Sequence, residues 1–271
     1  MRHKLLKHFS ILNAFICMLL SFGFIFSSCS RNNLQKEEQI RVNNSNVTND
    51  LDTLVNSVQG NLSLNKIATT PNSVLLTGLA DHRLVTVYKS RSEPKPNGSS
   101  FRFLKKTYEY DGREIGKVEH YMPGFDILYG YNLLNIAHYD LKSEKLSFIF
   151  QHSALIKTFY YPSFIQDSVA KKPINRNYYL LSVYDEDTNK DSLINKNDLR
   201  RFYYVDAGVS SKIRLIPSEY SVVRSQYDVQ NDAMYIFAKL DANKNGTGDP
   251  QEPMHIFWIN LKSPTVAKRL Y

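Results

Sequence analysis

Tyr179-Leu180-Leu181-Ser182-Val183-Tyr184, then the acidic stretch Asp187-Thr188-Asn189-Lys190-Asp191-Ser192-Leu193-Ile194-Asn195-Lys196-Asn197-Asp198, then Phe202-Tyr203-Tyr204-Val205-Asp206, decide how this chain reads. Two short runs rich in aromatic and β-branched residues flank a polar loop, which is the composition of paired strands. The unit returns 54 positions later: Asp187 recurs as Asp241, and 202–206 recurs as Ile256-Phe257-Trp258-Ile259-Asn260. Arg214-Leu215 recurs as Arg269-Leu270, at an offset of 55. The run 219–228 precedes the second copy and is expected to be its first strand. A weaker relative lies upstream, where Asn135-Ile136-Ala137-His138-Tyr139-Asp140 leads through a polar turn to Leu146-Ser147-Phe148-Ile149-Phe150.

Working outward, residues 74–271 carry short apolar-aromatic runs between turn residues, such as Leu84-Val85-Thr86-Val87-Tyr88. Asp111-Gly112 between two such runs signals a hairpin. The expectation is one all-β domain of repeated units, each of four short antiparallel strands. A unit length near 50 residues resembles the blades of β-propeller repeat proteins, which implies a propeller-like arrangement. An open β stack or a sandwich is the alternative.

The two polar loops share an alternation of oxygen-bearing side chains. Counting Asp187 as position 1, donors fall at Asp187, Asn189, Asp191, Asn195 and Asp198, with the Leu193 carbonyl at position 7. The second loop offers Asp241, Asn243, Asn245, Thr247, Asp249 and Glu252. Calcium is a hard ion that takes six to eight oxygens, and the spacing resembles the loops of EF-hand and dockerin sites. That resemblance implies Ca²⁺ at one or both loops. Ser192 stands where that family prefers Gly, Gly248 where it prefers an apolar residue, and Pro253 bars an exit helix after the second loop. Because strands enter both loops, the helix pair of the EF-hand and its opening switch are not implied.

The N-terminus has a different character. Arg2, Lys4 and Lys7 precede an apolar stretch over 9–26, and Ser27-Ser28-Cys29 follows. This is the layout of a secretory signal peptide, 1–28, and Phe26-Ser27-Ser28-Cys29 resembles the lipobox of bacterial lipoproteins. The resemblance implies cleavage before Cys29, a lipid on that cysteine, and attachment to a membrane of the cell envelope, with the outer membrane or cell surface favoured over the inner membrane. An uncleaved membrane anchor is the alternative. The other of the two cysteines, Cys17, lies within the signal, so the mature chain has no disulfide to draw on. Residues 29–73 are rich in Asn, Ser and Thr and lack aromatics, the composition of a flexible tether, with a short helix over 50–59 as its one ordered element.

The chain's net charge of +8 includes the three signal cations. The remainder is spread without a dense Lys/Arg run, which argues against a nucleic-acid partner. G-x-S-x-G, H-E-x-x-H, a Gly-rich phosphate loop and zinc-spaced cysteines are all absent from the sequence. Of His82, His120, His138, His152 and His255, none has a second histidine at ligand spacing in sequence, and no catalytic residue is assigned. Asp111, Glu114 and Glu119 could pair only if the fold brings them together. The expected function is a non-enzymatic, membrane-anchored lipoprotein whose calcium-stabilised β-repeat domain binds a protein or glycan. The alternative is an envelope hydrolase whose site is assembled from dispersed residues.

Overall fold

The computed structural model describes residues 38–42, 67–90, 122–169 and 171–271, and over them the chain is all-β. The signal segment, Cys29, the helix expected over 50–59, the Asp111-Gly112 hairpin, Glu114, Glu119 and His120 lie outside the described residues. Among the described residues no helix is long and apolar enough to cross a membrane.

The strands in chain order are β1 (Gln39–Arg41), β2 (Thr69–Leu76), β3 (His82–Lys89), β4 (Phe125–Tyr129), β5 (Leu133–Asp140) and β6 (Lys145–Phe148). Then come β7 (Leu155–Pro162), β8 (Asp167–Val169), β9 (Lys172–Ile174), β10 (Tyr178–Tyr184), β11 (Leu193–Asn195) and β12 (Arg201–Asp206). The chain closes with β13 (Lys212–Arg214), β14 (Tyr220–Asp228), β15 (Ala233–Leu240), β16 (Met254–Asn260) and β17 (Ala267–Arg269). Three antiparallel sheets hold most of them, in the orders β2-β3-β5-β6, β4-β7-β10-β12-β13 and β14-β15-β16-β17. β1 with β11, and β8 with β9, form two-stranded ribbons.

The five-stranded sheet lies between the other two, and side-chain alternation along its strands says why. On β10, Tyr179, Leu181 and Val183 join a core shared with Leu75, Leu84 and Ile136 of the first sheet. Tyr178 and Leu180 turn the other way, into a core shared with Val222, Met234, Ile236 and Phe257 of the third. A strand covered on both faces has no polar side to show, so 178–183 reads as an almost unbroken apolar run. Fully burying each Leu, Ile or Phe contributes roughly 1.5–3 kcal/mol. A buried ion pair ties the central sheet to the third: Arg176 meets Asp232 through two hydrogen bonds, of 2.6 and 3.1 Å, and also donates to the Pro123 and Leu261 carbonyls.

The sequence copies occupy matching places in two sheets. β10, β12 and β13 stand side by side in the middle sheet, and β15, β16 and β17 do so in the third. Residues 219–228 supply β14, the edge strand beside β15. Each hairpin that follows the aligned strand is closed by that strand's last residue. Asp140 accepts from the Lys142 amide at 2.9 Å, Asp206 from the Gly208 amide at 3.2 Å, and Asn260 from the Lys262 amide at 2.9 Å. Short polar side chains that bond two residues ahead favour such turns.

The stretch read as a tether contributes two elements of the fold. β1 falls inside it, with Ile40 fully buried against Leu134, Leu155 and Ile194, and β2 begins at Thr69, ahead of the expected boundary at Val74. A three-residue strand with one buried side chain has no periodicity of its own. It is ordered by the partner that it covers.

Candidate metal loops

The first loop runs from the end of β10 to β12 and the second from the end of β15 to β16. Their first halves are built alike. In the first, the Asp191 amide donates to Asp187 Oδ1 and Asn189 Oδ1, both at 3.1 Å. The Ser192 amide donates to Asp187 Oδ2 at 2.9 Å, and the Leu193 amide to Asp191 Oδ1 at 2.8 Å. In the second, the Asn245 amide donates to Asp241 Oδ1 and Asn243 Oδ1 at 3.0 Å, the Gly246 amide to Asp241 Oδ2 at 3.0 Å, and the Thr247 amide to Asn245 Oδ1 at 2.8 Å. Positions 4 and 6 are left-handed in both: Lys190 and Ser192 have φ of 61° and 67°, Lys244 and Gly246 57° and 73°. Side chains at positions 1, 3 and 5 are thereby turned back over their own loop.

The loops also meet each other. Thr188 Oγ1 donates to the Gly246 carbonyl at 2.5 Å, and Asp198 and Thr247 form an antiparallel bridge. A Cβ on Gly246 would stand 1.9 Å from the Thr188 carbonyl oxygen, so glycine is required there for space as well as for φ. Ser192 has its side chain exposed and meets only the conformational cost of a left-handed residue. Position 8 differs for a related reason. Ile194 packs with Ile40 and Leu155, whereas a Cβ on Gly248 would already be 3.1 Å from Ser221 Oγ.

The second halves part ways. Asp198 is 1% exposed. Its Oδ1 accepts from the Thr188 amide and its Oδ2 from the Asn195 amide, both at 2.8 Å. Burial pushes its pKa up, and these donors oppose the rise. Glu252 uses only Oε2, which accepts from the Asp249 amide at 3.1 Å, while its Oε1 is buried without a hydrogen-bond partner. Burial raises the Glu252 pKa, and the charges of Asp241 and Asp249 raise it further. A buried carboxylate oxygen without a donor is the feature of the second loop that suits a hard cation such as Ca²⁺. In the first loop Asp187, Asn189, Asp191 and the Leu193 carbonyl keep donor capacity, but Asp198 is already engaged. Among the described residues no three His, Cys, Asp or Glu side chains converge as a metal-holding group, and each loop draws half of its six donors from amide, hydroxyl or backbone oxygens.

β1 lies along the first loop as a short antiparallel strand, pairing Gln39 with Asn195, Ile40 with Ile194 and Arg41 with Leu193. Glu38, just ahead of it, is bound by Lys157 and by the Asn132 amide. Sequence reasoning missed this contact. The only available signal was one isoleucine between polar neighbours.

Two further groupings come from the fold alone. His82 Nδ1 and His138 Nε2, 56 residues apart in the chain, lie 2.6 Å from each other across β3 and β5. Burial, then the neighbouring His82, pushes His138 below the usual imidazole range. The buried Asp185 has one oxygen bonded by the Tyr203 hydroxyl at 2.7 Å, the other without a partner, and a pKa raised by burial. Its neighbour Glu186 is held by Arg201 and Arg214, each at 2.8 Å, so the two do not act as a free carboxylate pair. On the outward face of the third sheet, the half-buried Tyr235 and Trp258 pair across strands beside Phe237, over which Arg224 stacks at 3.4 Å. Compared with known protein families, curated proteins and solved structures, the chain matches none.

Proposed function

We propose that the chain is an exported lipoprotein, anchored through Cys29, whose propeller-like β-repeat domain is stabilised by calcium in the 187–198 and 241–252 loops and binds a protein or glycan. One observation carries this reading: the two loops share four corresponding amide-to-side-chain hydrogen bonds and the same two left-handed positions. Polar turns in general do not repeat such a network over seven consecutive positions. It leaves side-chain oxygens gathered over each loop, the arrangement a calcium loop requires. Antiparallel sheets of four, five and four strands packed face to face, with Asp140, Asp206 and Asn260 closing equivalent hairpins, support the repeat part of the reading. The outward aromatic face of the third sheet favours binding, and the engaged Glu186 weighs against a two-carboxylate hydrolase. The membrane part rests on the sequence around Cys29.

Calorimetric titration of the full-length chain with calcium tests the metal sites. Binding in the micromolar to millimolar range is expected, weakened by Asp241→Ala and again by adding Asp187→Ala. Heat identical to that of a buffer blank would contradict it. Palmitate labelling tests the anchor: label is expected on the wild type and absent from Cys29→Ala, and equal labelling of both would refute the lipobox.

A further inference from the structure

Between the central and third sheets opens a cavity of about 360 Å³. Its floor is one cross-strand row of the central sheet, Tyr129, Thr158, Ser182 and Phe202, contributed by β4, β7, β10 and β12. Next to that row this face is apolar, with Ile127, Tyr160 and Leu180 in the core. Thr158 and Ser182 thus bring two hydroxyls to one end of an otherwise apolar interface. At the mouth stands the half-buried Arg200. A register shift in β14 between Val222 and Arg224 turns the Val222 and Val223 carbonyls toward it. Its Nε donates to the Val222 carbonyl at 2.5 Å and its Nη2 to that of Val223. Both acceptors are neutral. Arg176, Arg201 and Arg214, by contrast, each meet a carboxylate. The other cations of the lining are Lys157, which is neutralised by Glu38, and Arg224, and no Asp or Glu lines the cavity among the described residues.

The geometry points to a binding site for a saccharide bearing a carboxylate, a uronic acid, with its carboxylate on Arg200 and its hydroxyls on Thr158 and Ser182. Arginine's planar fork suits a carboxylate, and Nη1 remains for it once Nε and Nη2 are engaged. Tyr129, Tyr160 and Phe202 supply ring surface against which the C–H face of a sugar packs. The volume is at the small end of ligand sites, enough for one or two sugar rings. A bare peptide carboxylate would satisfy Arg200 but leave the hydroxyl row unused. The inference rests on the binding reading above, whose glycan option it narrows, and is independent of calcium.

The test titrates the full-length chain, followed by calorimetry, with galacturonic acid and its dimer, and with galactose and a short neutral peptide of free C-terminus as comparisons. The uronates are expected to bind and galactose to bind at least tenfold more weakly, the scale of one lost charge-assisted hydrogen bond. Arg200→Gln should weaken uronate binding by roughly tenfold to a hundredfold. Because that change also removes bonds to β14, the double variant Thr158→Val with Ser182→Ala serves as the second measure. It should lose about two- to tenfold while melting close to the wild type. No uronate binding, unchanged affinity in a folded variant, or equal affinity for the peptide would overturn the assignment. A chain that binds uronate but not calcium would refute the metal sites and leave this one standing.

Discussion

The two loops begin as near copies and end as different devices, and the difference separates folding from ligand binding. In the first, Asp198 is buried and its oxygens accept from the Thr188 and Asn195 amides, so the carboxylate clamps the two ends of the loop by itself. In the second, Glu252 keeps a buried oxygen without a donor, beside Asp241 and Asp249. The first loop is therefore closer to self-sufficient, and it carries β1 on its outer edge. The second is the one for which we propose the greater dependence on calcium. Identical spacing does not imply identical dependence on metal, because the terminal carboxylate decides where the surplus charge is spent.

The largest expected effect comes from position 6. Gly246→Ala places a methyl against the Thr188 carbonyl at a positive φ, and should cost about 2–5 kcal/mol, summing left-handed strain and a clash. Ser192→Gly, at the same position of the first loop, should change stability by less than about 1 kcal/mol, since strain relief and chain entropy oppose each other. Denaturant melts of both variants measure the contrast. Equal losses would mean that the loops do not cross as described.

Next comes position 12. Asp198→Ala strips acceptors from buried amides and should destabilise the fold by about 3 kcal/mol with or without calcium, at roughly 1–3 kcal/mol per orphaned donor. Glu252→Ala should do little in chelator, because it also removes repulsion with Asp241 and Asp249, yet it should lose most of the second loop's calcium response. Thermal unfolding of the two variants in both conditions separates them. A calcium-independent loss in Glu252→Ala as large as that of Asp198→Ala would erase the distinction.

Most of the strands were legible in the sequence, and the physical reason is burial. The runs that became β3, β10, β12 and β16 are aromatic and β-branched because the sheets use both of their faces or pack one tightly. The loop limits were legible because side chains that bond the next backbone amides must be short and polar. The distinction between Asp198 and Glu252 was not, since both read as a position-12 carboxylate and only packing buries one among donors. Likewise β1 and the His82–His138 contact depend on partners distant in the chain, which spacing does not reveal. Gly248 looked like a departure from a calcium loop, and Ser221 beneath it supplies the reason.

The smallest effect serves as a control for acid titrations of the loops. His138 has its pKa lowered by burial and by His82, and Asp140 and Asp206 partly oppose this, with Ser147 on its other ring nitrogen at 3.3 Å. The unfolded chain then binds a proton that the folded one resists, so stability should fall as pH drops through about 6.5 and below. His138→Gln should flatten this slope without altering the calcium response. A slope that survives the substitution would assign acid sensitivity elsewhere.

Thermal unfolding of the full-length chain in millimolar calcium, compared with chelator, tests the central claim most directly. An ion that binds only the folded state adds about 2.7 kcal/mol at a hundredfold excess over its dissociation constant. For a domain of this size that is a rise of roughly 5–10 °C in Tm, with magnesium much less effective. The rise should shrink in Asp187→Ala, shrink further in Asp241→Ala, and nearly vanish in the double variant. A wild-type Tm that is the same in chelator and in several millimolar calcium would reduce both loops to polar turns.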